Sequence, residues 1–102
     1  MHTQRTKIIL ANKIRELISI CFFHSLEDIE FKYIITVEYN TLHSKLDICI
    51  LDGKTCDVVK SSGVWNVRKL KPIPASLEIS KLKIQINHYI KLNQEWNLSK
   101  AK

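Results

Sequence analysis

The chain has 102 residues, 45% of them hydrophobic and 25% charged, with a formal net charge of +6. That composition is one domain with enough apolar mass for a core that needs no metal or disulfide staple, and it excludes a wholly disordered chain. No apolar run approaches the roughly 20 residues that cross a bilayer, and three cysteines behind a basic N-terminus with no secretory apolar stretch point to a reducing, cytoplasmic setting.

Residues 1–4 read as a loose start. From Arg5 to about Phe22, the residues Leu10, Ile14, Leu17, Ile18 and Cys21 fall on one face of a helix, with Thr6 as its cap and Lys7, Lys13, Arg15 and Glu16 on the polar side. His24 to Glu30 is a short acidic connection. Phe31 to Tyr39 then alternates strictly, Phe31, Tyr33, Ile35, Val37 and Tyr39 against Lys32, Ile34, Thr36 and Glu38, as a half-buried strand does. Asn40 to Ser44 turns the chain into its most legible stretch, Lys45 to Val59, which reads as a hairpin about Asp52-Gly53. A two-residue turn with Gly53 at positive φ sets Leu51 opposite Lys54, Ile50 opposite Thr55, Cys49 opposite Cys56 and Leu46 opposite Val59. A bulge at Gly53 shifts that register by one. In the first register both faces are partly apolar, so the hairpin is expected inside a sheet whose second face needs a cover.

Ser61-Ser62-Gly63 breaks the pattern, and Val64 to Leu70 suits a fourth short strand. Each proline of Lys71-Pro72-Ile73-Pro74 disfavours the α region for its predecessor, which predicts an extended crossover. Ser76 to Gln94 also contains a strand-like alternation at Leu82 to Ile86, but its length without Gly or Pro favours a helix, with Ile79, Leu82, Ile86 and Ile90 on the inner face and Ser76 as cap. The polar tail, 97–102, reads as loose. The expected fold is α+β and two-layered: an N-terminal helix, a three- to four-stranded antiparallel meander sheet and a C-terminal helix in one domain over 1–102. Helix, three strands, helix resembles the element order of double-stranded-RNA-binding domains. That family's Gly-Pro-x-His loop is absent, and Leu77-Glu78-Ile79-Ser80-Lys81 stands where its Lys-Lys-x-Ala-Lys helix start falls, so no residue role is carried over.

Charge is unevenly spread. Residues 1–20 carry +3, residues 21–60 carry −3 and residues 61–102 carry +6, so an anionic partner would meet the ends of the chain rather than its middle. The four histidines and ten carboxylates form no recognisable catalytic spacing, and two glycines cannot build a phosphate-cradling loop. Cys49 and Cys56 match no common zinc spacing and read as two small half-buried residues. We therefore expect no enzyme, metal or cofactor. The first expectation is a macromolecule-binding protein with a protein partner or a second copy of itself, an accessory, immunity-type or defence-modulating protein from a mobile element, because the second sheet face would need covering. The alternative is an RNA or DNA binder using Trp65, Arg68, Lys69, Lys71, Lys81 and Lys83 around the start of the last helix.

Overall fold

Leu46, Ile48 and Ile50 alternate along the central strand and are essentially excluded from solvent, which fixes one face of the sheet as the floor of the core. In the computed structural model, which describes residues 3–100, that floor is covered by two helices. The order is α1 (Gln4–Ser25), β1 (Tyr33–Asn40), β2 (Lys45–Asp52), β3 (Val58–Val64), a single 3-10 turn (Val67–Lys69) and α2 (Pro72–Lys100). The sheet is an antiparallel meander in the order β1-β2-β3. Leu10 and Leu17 of α1 and Ala75, Ile79, Leu82 and Ile86 of α2 close the core from above, at the helical spacings that put them on one stripe. The α+β two-layer architecture holds, with three strands.

Three strands between two helices fix the helix directions. Each short connection reverses the chain, so α1, β2 and α2 point one way while β1 and β3 point the other. The hydrogen bonds that α1 and the connection after it make to α2 bear this out: Lys13–Ser80, Glu16–Lys83, Glu27–Gln94 and Glu30–Asn97 are all 67 residues apart. A constant offset is the signature of two segments running parallel in step.

The expected fourth strand does not form. Asn66 enters the left-handed region (φ 61°) and the amides of Val67 and Arg68 donate to Ser44 O (2.8 Å) and Ser44 Oγ (3.1 Å), so they are not offered to β3. Ser61, Ser62 and Gly63, expected as a break, lie inside β3, where Gly63 faces Asp47 across a register in which a Cβ would collide with the Asp47 side chain. The proline pair is helical, because the first amides of a helix have no intrahelical acceptor and a missing N–H there costs nothing. Lys71 rather than Ser76 is the entry residue, its C=O accepting from Ala75 N at 3.0 Å. At the other helix, Thr3 rather than Thr6 is the cap, its Oγ1 accepting from Thr6 N at 3.2 Å.

The hairpin turn is longer than two residues. Asp52 Oδ1 accepts from Lys54 N (2.8 Å) and Thr55 N (3.0 Å), its C=O accepts from Cys56 N, and Cys56 takes the left-handed conformation (φ 62°). Cys49 therefore faces Ser61, not Cys56, and all three cysteines are free. Gly53 has no positive φ; it is required because Phe31 O and Lys32 O occupy the space a Cβ would need.

The tail expected to be loose from residue 97 is helical through Lys100, and its polar residues explain why. Asn93, fully buried on the inner stripe, accepts from Tyr33 N at 2.8 Å through Oδ1 and donates through Nδ2 to Tyr33 O (3.1 Å) and His24 Nε2 (3.0 Å). The backbone partners fix the amide orientation, which makes His24 Nε2 an acceptor and places its proton on Nδ1, 3.3 Å from Glu27 Oε1 though not aligned as a hydrogen bond. One helical turn on, Asn97 clips Glu30 in the same way, accepting from its N–H (3.0 Å) and donating to its C=O (2.7 Å). Two side-chain amides thus stand in for a neighbouring strand at the entrance to β1. Asn93→Ala, which strands the part-buried N–H and C=O of Tyr33 and a buried histidine nitrogen, is expected to cost about 2–3 kcal/mol in urea unfolding, whereas Asn97→Ala at the exposed clip should cost about 1 kcal/mol or less.

Candidate nucleic-acid interface

The parallel helices bring both of their N-termini to one end of a molecule 52 Å long. That end also holds the β1–β2 turn (41–44) and the 3-10 turn. Ser44 fastens these two together: buried, in a left-handed conformation (φ 48°), it holds the amides of Val67 and Arg68 and shares a hydrogen bond with Tyr39 Oη at 2.8 Å. Arg68 answers by donating from its guanidinium to Leu42 O at 2.5 Å.

Five cations gather here with no carboxylate partner among the described residues: Arg5 and Lys7 in the first turn of α1, Arg68 and Lys69 in the 3-10 turn, and Lys71 at the entry of α2. Among the described residues, each ion pair of a lysine involves a different one. Lys7 and Arg68 line one shallow groove of about 260 Å³ with Tyr39 and Val67, so bases from the two ends of the chain meet on one surface. Each helix adds the partial positive charge of its free N-terminal amides, and because the helices are parallel the two contributions reinforce.

Beside the cations lies an aromatic pair. Trp65, 55% exposed, stacks on His43 with ring centroids 5.1 Å apart and planes 22° from parallel, and Lys45 Nζ sits 5.0 Å from the Trp65 ring centre. Lys45 also pairs with Asp47 at 3.4 Å. Leu42, His43, Trp65, Asn66, Arg68 and Lys69 line a groove of about 460 Å³.

Of the residues singled out in the sequence, Trp65, Arg68 and Lys69 share this groove and Lys71 follows directly at the α2 entry. Lys81 and Lys83 stand apart from it. Lys81 pairs with Glu78 at 2.9 Å, and Lys83 binds Glu16 across the helix pair. Spacing alone does not single out His43, Lys45 and Asn66, because a fourth strand over Val64 to Leu70 would not bring Trp65 and Arg68 onto the β1–β2 turn. The positions 43 and 45, two apart and flanking a turn, were the available signal. At the opposite end stand the acidic connection, the 53–57 loop and Trp96, whose ring lies 4.3 Å from Lys100 Nζ. No group of three metal-ligating side chains occurs among the described residues, and no helix is long and apolar enough to cross a membrane.

No protein family, curated protein or solved structure matches the chain.

The hydrogen bond and charge of Lys83 hold the Glu16 carboxyl below the ordinary carboxylate range. A lowered folded-state value stabilises the fold above the ordinary carboxylate pKa of about 4.3 and loses that contribution as pH falls through the lowered value. Lys83→Gln is therefore expected to flatten the fall in urea stability below about pH 4 and to leave binding at the cationic end unaltered.

Proposed function

We propose that this chain is a non-enzymatic macromolecule-binding protein whose cationic end engages the phosphate backbone of a nucleic acid. The observation behind the reading is the convergence of Arg5, Lys7, Arg68, Lys69 and Lys71 on one end, unpaired, beside two helix N-termini of the same polarity. Such a surface attracts a polyanion by releasing its counterions, and its affinity falls steeply with salt. Tryptophan and arginine beside one another suit a nucleic acid better than a small inorganic anion, because a base offers a flat apolar face as well as charge. The six-residue set proposed from the sequence narrows to Trp65, Arg68, Lys69 and Lys71, joined by His43, Arg5 and Lys7, while Lys81 and Lys83 serve the fold.

Retention on heparin and binding to mixed-sequence oligonucleotides at low salt test this reading. Replacing Arg68, Lys69 and Lys71 with Glu is expected to abolish binding, and each single Lys7 or Lys69→Ala change to lower the salt slope by about 1. A protein that passes through heparin unretained at low salt refutes it.

A protein partner is the second reading, favoured by a different surface. Ile18, Phe22 and Leu26 recur every fourth residue of the α1 side that faces away from the core and are 52%, 57% and 65% exposed. Beside them an apolar groove between α1 and the open edge of β1 is lined by Cys21, Phe31, Ile34 and Ile35. An exposed apolar stripe along a free strand edge is the kind of surface that accessory or immunity-type proteins offer a partner. It replaces the outer sheet face as the reason for this reading, since that face carries Thr36, Glu38, Asp47 and Ser61 and confines its apolar residues to the row of Ile34, Leu51 and Val58 at one end and Cys49. Light scattering on size-exclusion fractions is expected to show association that Phe22→Ser removes; a strict monomer at high concentration ends the self-association version.

A further inference from the structure

Resting on the nucleic-acid reading above, we infer that the ligand is single-stranded and that one unstacked base extends the His43–Trp65 stack. Three observations lead there. Both His43 and Trp65 are exposed residues, and Lys45 Nζ lies over the Trp65 ring, 5.0 Å from its centre, so the stacked pair offers solvent a flat ring surface beside the cations with a positive charge already against it. The groove beside it, about 460 Å³, is of the size that holds small ligands, and it is walled by Arg68 and Lys69, which can take the flanking phosphates. Asn66 lines the same groove from a left-handed backbone, and its side-chain amide makes no hydrogen bond among the described residues, leaving a donor and an acceptor for a base edge.

Shape decides against a duplex. Reading paired nucleic acid in the major groove takes a protruding helix or ribbon, and this end of the molecule presents two turns and the starts of two helices that lie along the sheet with their inner sides, at Leu10 and Ala75, buried on it. In a duplex the base faces are already stacked on one another, so Trp65 would contribute nothing. Against a single strand, an aromatic ring contributes on every base type, and cations along the backbone do the rest.

The two tryptophans lie at opposite ends, so Trp96→Phe leaves Trp65 as the sole reporter. In that background, titration with oligodeoxythymidylate or oligouridylate of about ten nucleotides is expected to quench the fluorescence, and a duplex of equal phosphate number is expected to bind more weakly and leave it unchanged. Trp65→Ala should weaken single-strand binding about 5- to 150-fold with no change for the duplex, and Trp65→Phe should recover most of the loss. Equal binding of single strand and duplex, with Trp65→Ala behaving as the parent, overturns the inference while leaving a phosphate-binding end intact. Absence of binding by every probe overturns the nucleic-acid reading itself, and this inference with it.

Discussion

The number of strands is the constraint on which the rest of this molecule depends. A meander of three strands returns the chain to the direction in which it began, so α1 and α2 are parallel. A fourth strand would have made them antiparallel, placed their N-termini at opposite ends and set their dipoles against each other. What stands in place of the fourth strand is the left-handed turn at Asn66 and its anchor at Ser44. Ser44 receives the amides of Val67 and Arg68, and the chain after β3 turns back over the β1–β2 turn, not alongside β3. The same bonds bring Arg68 and Lys69 next to His43 and Trp65. Topology and surface chemistry therefore meet at a short buried serine.

Polar side chains set the axial register of the helices. Hydrophobic stripes alone hold two helices against a sheet but tolerate sliding by a turn. The contacts at an offset of 67 residues, from Lys13–Ser80 at one end to Glu30–Asn97 at the other, remove that freedom. Most of them are exposed and individually weak. A buried contact outside that series is different in kind: Asn93 satisfies the N–H and C=O of Tyr33 and a histidine nitrogen, and no shift of α2 preserves all three. Such a fully satisfied polar group inside an apolar stripe costs stability in every register but the correct one.

The parts of this fold that were legible in the sequence are those that hydrophobic period determines. Leu10, Ile14, Leu17 and Cys21 of α1, Ile35 and Val37 of β1, the inner face of β2 and the stripe of α2 from Ile79 to Ile90 follow from spacing alone, whereas Ile18 and Tyr39, expected on the same faces, are 52% and 43% exposed. What was not legible depends on tertiary partners. Asp52-Gly53 suits a two-residue turn in isolation, yet the Asp52 carboxylate caps two amides ahead of it, and Phe31 O and Lys32 O explain the glycine equally well without positive φ. Pro72 and Pro74 look like breakers and are instead a helix start. Of the proposed site, Arg68, Lys69 and Trp65 were visible as a basic stretch with an aromatic residue, but their neighbours His43 and Arg5 come from turns that only the strand count brings to the same end. Lys81 and Lys83 looked equal to them in sequence and are neutralised by Glu78 and Glu16.

Net charge consequently understates the field this chain presents. The carboxylates of the 27–30 connection and the 52–57 loop lie at the far end, and the 22 residues of α1 alone separate the two ends by about 33 Å. At physiological ionic strength the screening length is about 8 Å, so the acidic end does nothing to neutralise the cationic one. An approaching polyanion meets five unpaired cations and two helix N-termini, not a sphere of +6 with its charges evenly mixed. The same separation leaves the exposed apolar stripe of Ile18, Phe22 and Leu26, which begins midway along α1 and runs toward the acidic end, outside that field. The two proposed readings therefore concern surfaces that are separate in space and do not share a field.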